Sequence, residues 1–343
     1  MLPILLCSFG LTVIFSLLAL RFFPVLGLMD RPERYGHDRK PIPYPGGVAV
    51  VLAILLTSAL FLKENPLIVS LMSAMIILGL TCFLDDRRGL SPVLRLGVQL
   101  LAGFLLIVGG LGISSITNPF GGAIPLDLVN LPFYLGSWTF TFTLFADVLT
   151  LVWLMTMVNA FNWIDGIPGM ANSVAAVASL VLLLLSMRPG FHSVDQSFAV
   201  ALSAMVLGAS LAFLIFDFPP PRMLMGDTGS MLLGFLLAVT ALISGGKIAT
   251  TILVLGFPLL DFLWVIARRV FKGQSPFKGD LWHFHHRLQK AGYSDRTIVL
   301  FFGGASAVFG ALALSLHTEG KLFVLAGIFA FMLGLVGVLY FRK

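Results

Sequence analysis

A chain of 343 residues that is 58% hydrophobic, only 11% charged and has a mean hydropathy of +0.99 is too apolar for a water-soluble domain. Its two cysteines, Cys7 and Cys82, lie far apart in apolar runs, which excludes a disulfide framework and a cysteine-based zinc site. The net charge of +6 is informative mainly through where the charges fall.

A bilayer-crossing helix takes about 20 apolar residues. That window predicts eleven spans, near residues 3–24, 47–63, 67–84, 96–116, 142–161, 171–187, 197–216, 231–245, 248–267, 297–316 and 322–340. The segment 1–23 lacks a strong basic start and a small-residue cleavage site, so it reads as a retained first span. Basic connections are held on the cytoplasmic side. Of the 22 Lys and Arg residues, 18 fall on one face, leaving only Lys63, Arg188, Lys247 and Lys321 on the other. The expected fold is an all-α polytopic integral membrane protein of about eleven transmembrane helices, with the N-terminus outside and the C-terminus cytoplasmic. It forms a single domain over residues 1–343 whose working site is built from cytoplasmic loops. The far-face connection 117–138 is rich in Gly, Pro and apolar residues and is expected to form a short hairpin or to lie on the membrane surface.

The first cytoplasmic connection contains Arg39-Lys40-Pro41-Ile42-Pro43-Tyr44-Pro45-Gly46-Gly47. Clustered bases before a Gly-ended turn suit a phosphate, through side-chain charge and backbone N–H donors; a retention signal and helix entry would look similar. Asp85-Asp86-Arg87-Arg88 comes directly after an apolar run. A carboxylate pair there is desolvated and self-repelling, so it suits a place where a metal or a phosphate compensates. A solvated helix end, paired with lipid headgroups, is the plainer reading.

In Asn159-Ala160-Phe161-Asn162-Trp163-Ile164-Asp165-Gly166-Ile167-Pro168-Gly169, the residues Asn159, Asn162 and Asp165 recur every three positions and share one helix face. A polar row at a membrane edge points to a ligand, whereas a helix cap accounts only for Gly166. Met225-Gly226-Asp227-Thr228-Gly229-Ser230 opens another span; Asp227 suits a cation, and it also suits an ordinary N-cap. Asp217 lines the same cavity or simply ends the preceding helix. Three histidines in His283-Phe284-His285-His286-Arg287-Leu288 lack the spacing of a zinc set, and phosphate binding with Arg287 and Lys290 suits them better. Asp261 lies two helical turns before Arg268, consistent with an ion pair or a cavity-lining acid. Asp147 has no evident partner.

Taken in order, Asp85-Asp86 with Leu90-Ser91, Asn159 to Gly166, Met225 to Ser230 and His283 to Leu288 resemble the signature loops of the polyprenyl-phosphate N-acetylhexosamine-1-phosphate transferases. The His-Phe-His-His-Arg-Leu form is similar to the branch that starts O-antigen, enterobacterial common antigen and teichoic acid linkage units. The chain departs from the family at Pro168, where a second aspartate is frequent, and at Asp217, where asparagine is common. Both positions belong to the nucleotide-sugar pocket, so the donor sugar stays open.

What the resemblance implies is transfer of an N-acetylhexosamine-1-phosphate from a UDP-sugar to undecaprenyl phosphate in the bacterial inner membrane. UMP is released, Mg2+ is required and Mn2+ is a candidate substitute. It assigns Asp227 and Asp86 to the metal, and Asp85, Asp86 and Asp165 to catalysis. Substrate binding falls to Arg39, Lys40, Arg87, Arg88, Asn159, Asn162, Asp217, His283, His285, His286 and Arg287. Membrane lipids are partners, nucleic acid is not, and a homodimer stays open. A polytopic transporter is the competing class, although the acids gather at one face and no two halves match, unlike a transporter's midplane site.

Overall fold

The computed structural model describes the chain apart from residues 36–38, 64, 66, 119–121, 137, 190–194, 245–246, 276–281, 317 and 342–343. Of the basic residues counted above, Lys278, Arg342 and Lys343 therefore lie outside the described residues. The apolar runs fold into helices, the only form in which a single segment satisfies its own backbone in lipid. In chain order these are α1 (Leu2–Phe22), α2 (Gly47–Phe61), α3 (Ile68–Arg88), α4 (Pro92–Val108), α5 (Leu144–Ile164), α6 (Met170–Ser186) and α7 (Ser197–Asp217). They continue as α8 (Asp227–Ile243), α9 (Ile248–Val254), α10 (Gly256–Phe271), α11 (Phe284–Lys290), α12 (Asp295–Ser315) and α13 (Thr318–Phe341).

Between α4 and α5 the chain forms two antiparallel ribbons, β1 (Ser115–Thr117) with β2 (Ala123–Pro125) and β3 (Asn130–Leu135) with β4 (Trp138–Thr143). The far-face connection thus takes the hairpin form, and the helical fold carries a small β element.

The chain is a multi-pass membrane protein. Helices α1, α3, α5, α7 and α12 are long and apolar enough to cross a bilayer, and α9 with α10, bent by 85° at their junction, makes a sixth candidate. Helices α2, α4, α6 and α8 have 15 to 17 residues. That is about 22–26 Å at 1.5 Å per residue, against a hydrocarbon thickness of about 30 Å. All eleven expected segments are helical at their centres, and among the described residues five helices, or six with the bent pair, have the length and composition of a crossing.

The short α8 shows why length and burial part company. Fifteen of its 17 residues are buried, so protein rather than lipid surrounds it. It touches α2, α3, α5, α6, α7 and α9. The closest approach is at Gly47 of α2, where an added Cβ would stand 2.2 Å from the Gly229 backbone nitrogen. The Gly47 N–H also donates to the Met225 carbonyl at 2.8 Å, so the start of α2 is fastened to the segment that leads into α8.

The helix α3 runs through the acid pair instead of stopping before it. Asp85 and Asp86 occupy its last turn, and Gly89, at φ +70°, ends it with an N–H to the Asp85 carbonyl at 2.8 Å.

Replacing Gly47 with Ala forces backbone against backbone and is expected to destabilise the protein by about 1–3 kcal/mol or more. Gly97→Ala on the exposed side of α4, where a Cβ meets nothing within 4 Å, serves as the control and is expected to be neutral or slightly stabilising. Thermal unfolding of the purified protein in detergent distinguishes the two.

Candidate functional site

The first N–H groups of α8 have no partner within the helix, and its N-cap residue Gly226 offers no side chain. The cap comes from α3. Asp86 Oδ1 accepts the Asp227 N–H at 2.9 Å and the Tyr44 hydroxyl at 2.5 Å. Asp86 Oδ2 accepts the Thr228 N–H at 3.0 Å and the Thr228 hydroxyl at 2.5 Å. Four donors fill the roughly four acceptor positions of a carboxylate. Asp86 is the anchor that holds the start of α8 in place.

The neighbouring acids are arranged around one guanidinium. Arg95 Nη1, in the first turn of α4, lies 3.0 Å from Asp85 Oδ2 and 3.3 Å from Asp227 Oδ2. Asp85 is buried and also accepts the Leu90 N–H at 2.5 Å, whereas the Asp227 side chain keeps 28% of its surface open. The Asn162 side chain hydrogen-bonds the Asp227 carboxylate. Asp165 stands in the turn after α5; burial, and then the charges of Asp217, Asp227 and Asp86, hold its carboxyl well above the usual range.

One turn deeper, the Asn159 Nδ2 donates to Gln99 Oε1 at 2.7 Å and to the Met155 carbonyl at 2.7 Å. The row Asn159, Asn162, Asp165 is thus split: its inner member joins α5 to α4 and its outer members face Asp227. Asp217 is fully buried, with Asn172 Nδ2 donating to its Oδ2 at 2.6 Å.

The histidine loop reaches the same recess through one contact. A Cβ added to Gly166 would stand 2.5 Å from His285 Nε2, so the ring lies directly against the turn that carries Asp165. His285 is 1% exposed and, among the described residues, neither ring nitrogen has a hydrogen-bond partner; burial, then the neighbouring His286 and His283, pull its pKa well below 6.5. His283 is spent on structure, with Nδ1 at 2.8 Å from Asp261 Oδ2, while Asp261 Oδ1 accepts the Phe284 N–H at 2.9 Å. His286 contacts Gln289, and Arg287 lies over the Trp282 ring.

Of the first-loop bases, Arg39 pairs with Asp30 at 2.6 Å and Lys40 is exposed. Arg39 also lines a cavity of about 530 Å3 beside Gly166, with Pro168, the prolines 219–221, Gln289, Ser294, Asp295 and Arg296. Arg87 and Arg88 sit exposed at the end of α3, outside the acid cluster.

Sequence reasoning missed Tyr44, Arg95, Gln99 and Asn172. Arg95 and Gln99 had a readable signal, being four apart on the helix that follows Leu90-Ser91. Tyr44 and Asn172 had none, since their partners are distant in sequence.

The oxygen-rich set of Asp227, Asn162 and Asp165 fits Mg2+ or Mn2+ better than a softer ion. Among the described residues no three His, Cys, Asp or Glu side chains already form a metal cluster.

Fold and recess together define a multi-pass helical membrane protein with an acidic site at one end of its bundle. The profile described as glycosyl transferase family 4 matches residues 68–245, just over half of the chain, and the chain belongs to that family. It is 29% identical over 325 residues to the decaprenyl-phosphate N-acetylglucosaminephosphotransferase of Mycobacterium tuberculosis, covering 83% of this chain and 76% of that one. It is 29% identical over 304 residues to the probable undecaprenyl-phosphate N-acetylglucosaminyl 1-phosphate transferase of Bacillus subtilis, covering 85% and 78%. The corresponding figures for the undecaprenyl-phosphate alpha-N-acetylglucosaminyl 1-phosphate transferase of Escherichia coli K12 are 26% over 319 residues, covering 89% and 81%.

Tyr44→Phe removes one of four donors to Asp86 and is expected to lower stability by about 0.5–1.5 kcal/mol. Asp86→Asn turns an amide NH2 toward a donor and is expected to lose more, about 1–3 kcal/mol. Chemical denaturation in mild detergent measures both.

His285 contributes in a defined pH window. As pH falls below about 6.5, the unfolded chain takes up a proton that the folded ring refuses, so the stability present above that pH is progressively lost. Between about pH 7 and about pH 5.5 the wild type is expected to lose more melting temperature than His285→Gln. Equal losses would refute the assignment.

Proposed function

We propose that the chain transfers an N-acetylhexosamine-1-phosphate from a UDP-sugar to undecaprenyl phosphate, releasing UMP, at the cytoplasmic face of a bacterial inner membrane. In this reading eleven crossings put the N-terminus outside and the acidic recess toward the cytosol. The observation that carries it is the convergence of Asp85, Asp165 and Asp227 with Arg95 beside the cavity at Gly166, in a chain whose relatives carry polyprenyl-phosphate transferase names.

An oxygen of the lipid phosphate attacks the β-phosphorus of the nucleotide sugar. A new P–O bond forms, and the bond from that phosphorus to the bridging oxygen breaks, leaving with UMP. A phosphate monoester has its second pKa near about 6, so its oxyanion is available at neutral pH and no strong base is needed. Asp85 and Arg95 orient the lipid phosphate, and direct attack is favoured over a phosphorylated aspartate.

Asp227, Asn162 and Asp165 would hold Mg2+, with Mn2+ as a substitute. When bound, the ion neutralises charge on the diphosphate. Arg39, Lys40, Arg87 and Arg88 raise the local concentration of polyanionic substrates. The neutral His285 packs against the Gly166 turn that borders the sugar-nucleotide side, and Asp217 with Asn172 forms the back wall. The cavity with Arg39, Pro168 and Arg296 is assigned to the nucleotide sugar. The His-Phe-His-His-Arg-Leu loop favours a pathway that starts a surface polysaccharide of O-antigen type.

Membranes given UDP-N-acetylglucosamine, or another UDP-N-acetylhexosamine, with undecaprenyl phosphate are expected to release UMP. Chelation by EDTA should stop release and added Mg2+ restore it. Asp227→Asn is expected to lower the rate about 100-fold or more while the protein still reaches the membrane. Substrate flux without UMP would support a transporter instead.

A further inference from the structure

The ribbon β3–β4 joins α4 to α5 at the end of the bundle opposite the acids. Its register pairs Leu131 with Phe142 and Phe133 with Phe140, and pairs Pro132 with Thr141 and Tyr134 with Thr139. Directly paired residues share a face, and faces alternate along a strand. One face therefore carries Leu131, Phe133, Phe140 and Phe142, and the other carries Pro132, Tyr134, Thr139 and Thr141. Residues 128–146 contain no charged side chain.

The protein itself does not use up the apolar face. Phe140 meets Phe104 of α4 edge-on at 5.8 Å, and Phe133 stacks on Phe140 at 6.3 Å. Yet Phe133 remains 54% exposed and Leu131 42% exposed. Phe104 belongs to the exposed apolar side of α4, with Leu100, Leu101 and Val108, while Gln99, Ala102 and Leu106 face the core. The ribbon's apolar face thus continues the lipid-facing side of α4 without a polar break. Backbone bonds hold it there: the Leu144 N–H donates to the Val129 carbonyl at 2.9 Å, and the Thr143 N–H to Asp147 Oδ2 at 2.7 Å.

We propose that β3–β4 is a membrane-interface plate that lays Leu131, Phe133, Phe140 and Phe142 on the acyl boundary of the leaflet farther from the acidic site. Its threonine face is turned to water. A lone two-stranded ribbon is marginal in water, and amphipathic and aromatic side chains settle at that boundary. The plate fixes the outer ends of α4 and α5, whose inner ends bring Arg95, Gln99, Asn159 and Asn162 to the site.

The full-length protein in phosphatidylethanolamine and phosphatidylglycerol vesicles tests this, using Phe133→Trp and Tyr134→Trp with the wild-type fluorescence subtracted. The added Trp at 133 is expected to emit to the blue and to be quenched at least twofold by lipids brominated near the glycerol end of the chain. The added Trp at 134 is expected to respond to iodide and not to brominated lipid. Three results would each overturn the proposal. One is iodide quenching at 133 equal to that at 134, which means water. Another is no response at 133 to either quencher, which means cover by protein. The third is an emission at 133 that shifts when the protein is diluted in lipid, which means contact with a second copy.

Discussion

The start of α8 is a cluster of unpaired N–H groups inside an apolar bundle, and the fold depends on an anion being brought to it. Water cannot reach there freely, and a buried N–H without a partner is among the more expensive defects a protein can carry. Asp86 resolves it from another helix, taking Asp227 and Thr228 together with the Tyr44 hydroxyl. That one carboxylate ties α3, the first loop and α8 into a single unit. The same loop is bound to the approach of α8 by backbone, with the Leu224 N–H donating to the Pro43 carbonyl at 3.1 Å and the Gly46 N–H to the Leu224 carbonyl at 2.7 Å. Asp227 is left at a fixed place, its side chain 28% exposed and its carboxylate 3.3 Å from the Arg95 guanidinium.

With the anchor set, the balance of charge decides what the recess accepts. Arg95 lies at hydrogen-bonding distance from Asp85 and Asp227, while Asp165 stands within the field of Asp217, Asp227 and Asp86. Crowded carboxylates raise one another's proton affinity, so either protons or a cation must enter.

How much of this was legible beforehand depended on sequence distance. The helices follow from hydropathy because apolar runs in lipid have few alternatives. The count of crossings is less legible, because five or six helices have the length and composition of a crossing while the short α8 is enclosed by protein. Asp85, Asn162, Asp165, Asp227 and His285 stood out as polar residues at the ends of apolar runs, and the fold brings them together. Their division of labour was not legible. The two aspartates of Asp85-Asp86 look equivalent in sequence, yet one faces Arg95 and the other caps α8, a difference created by which helix packs beside each. Asp261, read as an ion-pair partner or a cavity-lining acid, holds His283 and the Phe284 N–H, a link across the loop that no spacing announces.

The histidine loop makes the same point in reverse. His283 and His285 are two residues apart with rings stacked at 5.6 Å, yet one pairs with Asp261 and the other has no hydrogen-bond partner on either nitrogen among the described residues. Burying an imidazole without partners works against folding, so the fold would gain by placing an apolar ring at 285. It instead fixes the loop through His283 and presses His285 against Gly166, where any side chain larger than hydrogen would displace it. Packing of the His285 ring against that turn, rather than charge attraction, ties the histidine loop to the acidic recess.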